Sequence, residues 1–462
     1  MGADERKETY AETYLGTIGG ALPLLVMIAA IAIFSIAGMR SVTYYWCAGF
    51  LGIVAGFLVY KDKNRFQKAL VGGLTSPTFA TTLIILLVAS VMGKVFSSSY
   101  LGESLLYVLS VLNVPSVVIP LATFIIGALI STASGSSSVV NLALVPVLFP
   151  LGVQMGCNPG LMLGAIVSGA VFGDNLAPIS DSTIVSALTQ GAEVGETVRT
   201  RLKYSITAFI PAAVLFLVFG FTTTGTNAGA SLSVDSTHVA SLLFLLLPVL
   251  LVVLIIKKVN FLVALLIGDV VGIIMLLLFG YTDMATLFSS DGVIVSGIDG
   301  IMEAVVFMMF IFMVLQLTQE TGFLEKFAEF MHSKAKSERV VESISGLFVC
   351  VICVLTTIAL PTMVFCGPIV RKIEEPYRIS RTRSANVLGG LSNGLSMLLP
   401  YGAVVIVVAT LANSTGVLDY TLSAVEFVGY NFFCIMLVLV YWVAILTGWG
   451  RDYEPDENES KA

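Results

Sequence analysis

Long apolar runs, interrupted by short polar ones, set the pattern of this chain. Stretches of spanning length, about 20 residues each, occur near 21–39, 43–60, 78–97, 115–132, 204–221, 239–256, 259–279, 298–317, 343–360 and 425–447. Between them lie shorter apolar pieces broken by Gly, Pro or Ser, near 138–153, 160–172, 182–190, 362–370, 385–399 and 402–412. This pattern predicts an all-α, polytopic membrane protein with about ten or more transmembrane helices, some of them broken or re-entrant. A transmembrane barrel would instead show short segments of alternating polarity.

One interruption stands where a bilayer midplane would fall. Gly173, Asp174, Asn175, Pro178, Ser180, Asp181, Ser182 and Thr183 follow an apolar segment, and apolar sequence resumes at Ile184. Pro178 removes a backbone donor, so the helix is expected to break there. Carboxylates inside hydrocarbon are expensive unless protonated, paired or ligated, and they mark functional sites. A break also frees carbonyls and hydroxyls, the hard oxygen ligands a small cation needs. The bland alternative is a polar loop at the membrane surface.

Two interrupted regions, 78–203 and 298–412, invite comparison as repeats. The first holds S-T-A-S-G-S-S-S (131–138) and then the Gly173–Thr183 break; the second holds T-T-I-A-L-P-T-M-V-F-C-G-P (356–368) and then G-G-L-S-N-G-L-S-M-L-L-P-Y-G (389–402). The first begins and ends at basic loops and the second at uncharged ones, as two halves of opposite topology would. The expected organisation is a segment 1–20, a helix pair and loop 21–77, a first inverted repeat 78–203, linking helices 204–297, a second repeat 298–412, a helix 413–450 and an acidic tail 451–462.

Charge then orients the chain. With 57% hydrophobic and 12% charged residues, most charges fall in connections and tails. Lys61, Lys63, Arg65 and Lys68 form one basic loop; Arg199, Arg201 and Lys203, then Lys257 and Lys258, form others. Lys326, Lys334, Lys336 and Arg339, and Arg371 to Arg383, complete the set. Connections 222–238, 281–296 and 413–420 lack Lys and Arg. The basic loops, and with them both termini, are therefore expected in the cytoplasm of a bacterial-type plasma membrane. The mixed-charge N-terminus differs from a secretory signal. No basic run interleaved with aromatics suggests nucleic acid, and no phosphate loop suggests ATP hydrolysis. Six cysteines without ligand spacing read as packing residues, and no cofactor is expected.

Exchange chemistry follows from the acids. An ionised carboxylate is a hard ligand for sodium, and a protonated one is a poor ligand. Asp174 and Asp181 are the candidates, with a helix-capping role as the alternative for Asp181. Asn175, Ser180, Ser182 and Thr183 can add neutral oxygens. Ser134, Ser136, Ser137 and Asn141 can do so from the earlier break, or simply solvate its backbone. Ser392, Asn393 and Tyr401 are the second-half counterparts, where the breaks contain no Asp or Glu. Glu303 and Asp269 are further proton-carrying candidates.

The sequence resembles the NhaC family of sodium/proton antiporters, within the wider ion-transporter superfamily. G-A-V-F-G-D-N-L-A-P-I-S-D-S-T-I (169–184) is similar to that family's G-D-x-x-S-P-I-S-D-T-T-I, and V-R-T-R-L-K-Y (198–204) to its V-R-T-Q-L-P-Y. T-A-S-G-S-S-S (132–138), Q-E-T-G-F-L-E (319–325) and I-S-R-T (379–382) resemble further family pieces. Departures include Pro400, Tyr401 and Gly402 where the family often has P-W-N. The resemblance implies a secondary active transporter, not an enzyme, exchanging sodium and protons by alternating access. The alternative it implies is cation-coupled movement of a small organic acid or amino acid. Expected partners are lipid, small cations and such a solute; a homo-oligomer is compatible with this. An intramembrane aspartyl protease and a channel fit less well, since both acids lie in one break and no filter repeat is present.

Overall fold

The computed structural model describes residues 10–37, 42–101, 104, 107, 115–178, 180–223, 236–257, 259–323, 326 and 337–454. Lys258, Lys334, Lys336, His332, the end of the 319–325 motif and the tail beyond 454 lie outside the described residues. Among the described residues regular structure is helical, apart from two isolated bridges, Thr13–Tyr60 and Ile379–Tyr453.

The first part of the chain forms α1 (Leu22–Ile36), α2 (Val42–Val59), α3 (Lys63–Leu74), α4 (Pro77–Ser98), α5 (Ile119–Ser134), α6 (Ser137–Gln154), α7 (Pro159–Leu176), α8 (Asp181–Gln190) and α9 (Val194–Thr223). There follow α10 (Leu246–Ile256), α11 (Phe261–Leu278), α12 (Met302–Gln319), α13 (Glu338–Thr356), α14 (Ala359–Glu374), α15 (Arg381–Ser396), α16 (Ala403–Ser414) and α17 (Phe432–Thr447). Among the described residues, five segments are long and apolar enough to cross a membrane: Ser116–Ser134, Ser137–Gln154, Pro159–Leu176, Val194–Thr223 and Glu338–Thr356. Others, such as Leu262–Leu278 and Phe432–Thr447, are apolar but shorter.

The chain divides into two compact units. One comprises Met1–Leu83 and Glu303–Lys334. Within it α1 and α2 approach closely at Gly52, where a Cβ would lie 2.9 Å from the Pro23 carbonyl. Asp62 caps α3 by accepting from the Asn64 and Arg65 amides, so the basic loop leads directly into a helix. Tyr60 donates its hydroxyl to the Leu317 carbonyl at 2.5 Å.

The other unit, Ile84–Met302 with Ala335–Ala462, contains two runs of four helices in identical register. The starts of α6 and α14 are 137 and 359, of α7 and α15 159 and 381, and of α8 and α16 181 and 403, an interval of 222 each time. Backbone geometry repeats at the same interval: Gly135 (φ 70°) matches Thr357 (φ 61°), and Gly156 (φ 82°) matches Arg378 (φ 56°). The prolines at 146 and 368, each inside its helix, also correspond. The runs interlock, with α8 packed on α14 and α16 packed on α6.

Within the first run α5 and α7 touch backbone to backbone. A Cβ on Gly169 would come 2.5 Å from the Phe124 carbonyl, and one on Gly173 2.2 Å from the Thr132 amide. Small residues one turn apart let membrane helices approach this closely. Ser131 Oγ closes the crossing by donating to the Ala170 carbonyl at 2.5 Å.

Beyond α17 the chain folds back over the helix ends. Arg451 Nη2 lies 2.6 Å from Glu342 Oε2, and Arg383 Nε lies 2.7 Å from Glu342 Oε1, all three side chains being buried or nearly so. Arg383 also donates to Tyr204 Oη at 2.6 Å, and Tyr204 donates to the Gly450 carbonyl at 3.0 Å.

The crossing makes a sharp prediction. Gly173→Ala should lower the stability of the purified protein by about 3 kcal/mol, since the overlap is with backbone that cannot give way. Gly429→Ala, where a Cβ would meet nothing within 4 Å, should leave the melting temperature in detergent unchanged.

Candidate ion and solute site

The break between α7 and α8 is built from two helix ends that face each other. α7 ends at Leu176, the chain turns through Ala177 and Pro178, and Ser180 caps α8. Ser180 makes no side-chain capping bond to the backbone amides of its own helix. Its hydroxyl donates instead to Asp174 Oδ1 at 2.5 Å. Ser137, at the first position of α6, donates to Asp174 Oδ2 at 2.9 Å. Ser182 lies 3.0 Å from Ser180 and 3.5 Å from Asp174 Oδ1. The carboxylate thus collects hydroxyls from both breaks, next to the N-terminus of α8, where negative charge is favoured.

Behind Asp174 the break is tied to the second run. Asn175 is fully buried; it donates to Ser205 Oγ at 2.9 Å and accepts from Asn393 Nδ2 at 3.4 Å. Asn393 Nδ2 also reaches Ser182 Oγ at 3.2 Å. Thr183 donates to the Asp174 carbonyl at 3.3 Å. Asn141, one turn beyond Ser137 on α6, is 1% exposed, and neither Oδ1 nor Nδ2 has a hydrogen-bond partner.

Arg201 locks this arrangement. It is fully buried, and all five of its N–H donors are used. Nε donates to Asn386 Oδ1 (2.9 Å), Nη1 to the Asn175 carbonyl (3.1 Å) and Thr183 Oγ1 (3.2 Å), and Nη2 to Ser186 Oγ (2.9 Å) and the Ala385 carbonyl (3.2 Å). The guanidinium therefore saturates a carbonyl left over at the end of α7 and joins it to α8 and α15. Gly389 leaves the room it needs: a Cβ there would lie 2.7 Å from Nη2.

Chemically, an aspartate held by hydroxyl donors is ready for a cation. Each hydroxyl keeps lone pairs after donating, so carboxylate and hydroxyl oxygens can share one small hard ion. A proton on the carboxyl removes the charge that attracts that ion.

Comparison with known proteins agrees with the motif reading. The profile of the Na+/H+ antiporter family matches residues 8–221. Over that stretch the chain is similar to the Na+/H+ antiporter family. Among curated relatives, the malate-2H+/Na+-lactate antiporter of Bacillus subtilis (strain 168) is 32% identical over 248 residues, covering 52% of this chain and 51% of that protein. The Na+/H+ antiporter NhaC of Alkalihalophilus pseudofirmus is 28% identical over 267 residues, 56% of each chain. The chain therefore spans about half the length of the curated relatives it matches. The YdaH transporter of Alcanivorax borkumensis aligns with a TM-score of 0.40 and 15% identity over 94% of this chain and 99% of its own. The apolar helices, with the antiporter-family similarity, make the chain a multi-pass membrane protein.

The sequence-predicted residues are distributed unevenly. Asp174, Asn175, Ser180, Ser182, Thr183, Ser137 and Asn393 share one hydrogen-bonded cluster. Asp181 opens α8 and is exposed, with no side-chain bond to Asp174. Ser136 caps α6 by accepting from the Val139 amide, and Ser134 donates to the Ser131 carbonyl at 3.5 Å, so both serve their own break. Tyr401 donates to the Val354 carbonyl at 3.1 Å, and Ser392 Oγ has no partner. Asp269 is buried in α11 with Oδ1 unpartnered. Glu303, in the other unit, is exposed, and its carbonyl accepts from Trp46 Nε1 at 2.9 Å.

Arg201 corrects the sequence reading. It was expected in a basic loop with Arg199 and Lys203, yet all three lie within α9 and Arg201 is buried. Its residue type matched a loop because charge counting is blind to which side of a helix a residue occupies. The available signal was the apolar sequence resuming at once after Lys203. Replacing Arg201 by Gln should strip partners from the break and destabilise the protein by about 3 kcal/mol. Lys should rescue little of the melting temperature, since a single ammonium cannot span five acceptors.

Proposed function

We propose that this protein is a secondary active transporter that exchanges sodium for protons at Asp174. The observation that carries the reading is the Asp174 carboxylate, held by Ser137 and Ser180 from two different helix breaks. The cycle follows from competition for one group. Ionised Asp174 binds sodium with the hydroxyl oxygens around it; protonated Asp174 releases it. Because the site accepts one or the other, a proton gradient can drive sodium the opposite way. Asp181, exposed nearby, serves as a way station for cations rather than as the carrier.

The two runs in common register are the inverted halves of this transporter, and alternating access arises from rigid-body motion of the part that contains the broken helices. The basic loops support a cytoplasmic position for both termini. Asp269, buried with one oxygen unpartnered, is a second proton-carrying position. A second reading couples the same site to a small organic acid. It is favoured by the name of the Bacillus subtilis relative and by Asn141, whose unused amide could bind a carboxylate or hydroxyl.

Proteoliposomes containing a pH-sensitive dye separate the readings. A sodium pulse should drive proton movement with no organic solute present, and Asp174→Asn should reduce the rate by about 100-fold or more. Asp181→Asn should leave most of the exchange. Proton flux that appears only after a C3 or C4 hydroxy acid is added would replace sodium/proton exchange with the organic-acid reading. Unaltered flux in Asp174→Asn would dismiss this carboxylate altogether.

A further inference from the structure

The two runs share their register but differ sharply at one end. In the first run a Cβ on Gly152 would lie 2.4 Å from Met162 Cε, so the methionine fills the place beside that glycine. The positions 222 residues on are Glu374 and Ser384, and Ser384 Oγ is hydrogen-bonded to Glu374 Oε2. Where the first run has Pro120 and Leu161, the second has Glu342 and Arg383 in an ion pair. Gly156, in left-handed backbone, gives way to Arg378 at φ 56°. That conformation suits glycine better than arginine, and the arginine uses it to hold the chain beyond α17. Its Nη2 donates to the Glu454 carbonyl at 2.7 Å, and its own carbonyl accepts the Glu454 amide at 2.8 Å.

Residues 448–454 form a strap over this end. The Ser380 amide donates to the Asp452 carbonyl at 2.9 Å, and Arg383 Nη1 to the Trp449 carbonyl at 3.1 Å. Lys203 Nζ lies 3.9 Å from Asp452 Oδ2, and Arg451 reaches Glu342. The strap thus ties together α9, α13 and α15, and α9 and α15 carry Arg201 and Asn393. Glu374 ends α14 in the basic stretch 371–383, past the apolar part of that helix. It is 1% exposed, and its Oε1 has no hydrogen-bond partner. Both Arg383 and Arg451 direct their carboxylate bonds to Glu342 instead.

We propose that Glu374 is a proton-binding group, separate from Asp174, that holds the strap in place while neutral and releases it when ionised. The inference does not depend on what Asp174 carries. The charged groups that face Glu374 are Glu342 from α13 and Arg383 from α15. The turn after α14 adds Tyr377 and Glu375, the latter 3.6 Å from Arg371 Nη2, and Lys372 is exposed. α8 meets α14 through Thr189 and Gln190 at Gly367, and neither residue ionises. Burial pushes the Glu374 carboxyl up to about 7; the Ser384 and Ser345 hydroxyls oppose the rise, Glu342 adds to it and Arg383 opposes it. Neutral, Glu374 donates to Ser384 Oγ, which lies 3.3 Å from the Ser380 carbonyl and donates onward to it. Ionised, it is a second carboxylate beside Glu342 and draws Arg383 away from Glu342 and the Trp449 carbonyl. A lifted strap admits water to it. The hold is therefore complete below the ordinary glutamate range and is lost as pH rises through about 7.

Hydrogen exchange of the purified full-length protein in detergent tests this, read by mass spectrometry on the peptide holding 448–454. Exchange is measured at about pH 6 and about pH 8.5, each rate being divided by the intrinsic rate at that pH. Wild-type strap protection should fall by about tenfold between the two, while α7 stays protected. Asp174→Asn should show the same fall. Glu374→Gln and Glu374→Met, uncharged at both values, should hold the strap equally at both. The proposal is overturned if wild-type strap protection does not change with pH, if either Glu374 variant keeps the fall, or if Asp174→Asn abolishes it. Protection lost at both values in both Glu374 variants would give the glutamate a packing role and overturn it equally.

Discussion

A guanidinium shut away from water must find an acceptor for every N–H, and Arg201 finds five at one junction. None of those acceptors is a carboxylate; they are carbonyls, hydroxyls and an amide drawn from α7, α8 and α15. The break in α7 depends on this. An interrupted helix in hydrocarbon exposes carbonyls that lipid cannot satisfy, so it persists only where protein does so instead. Arg201 meets that need from one side of the break, and Asp174 with its hydroxyls stands clear of it.

The arginine lock and the hydroxyl cluster therefore use different groups of the same few residues. Asn175 turns its carbonyl to Arg201 and its side chain to Ser205 and Asn393, while its neighbour Asp174 turns to Ser137 and Ser180. The bare faces of Gly169 and Gly173 bring α5 close enough that the break following it can deliver Ser137 to a carboxylate on α7. A bulkier crossing would move the hydroxyl out of reach.

Much of this was legible in the sequence. The all-helical membrane fold followed from apolar run length, and the α7–α8 break from Pro178 among polar residues. Most of the polar cluster followed from its own density, because a polar group placed among apolar neighbours has few inconspicuous explanations. Other features were not. Arg201 read as a loop charge, because composition carries no face information. The 222-residue register was hidden because the two runs share packing geometry rather than residue types: Gly135 faces Thr357, Ala170 faces Ser392, Asp174 faces Ser396. The ion cluster of Glu342, Arg383 and Arg451 joins residues far apart in the chain, and no local pattern announces it.

The lopsided charge of the two runs has an electrical consequence. Membrane voltage does work of about 2.3 kcal/mol per elementary charge per 100 mV, and only on charge that moves. Arg201 is bonded to the same break as Asp174, so in the proposed cycle an ionised, empty carboxylate would travel with a compensating cation and feel no net force. A proton or a sodium ion on Asp174 would then leave that pair with one positive charge. One-for-one exchange at this carboxylate would then carry equal charge inward and outward, making that half of the cycle indifferent to membrane potential and driven by concentration alone.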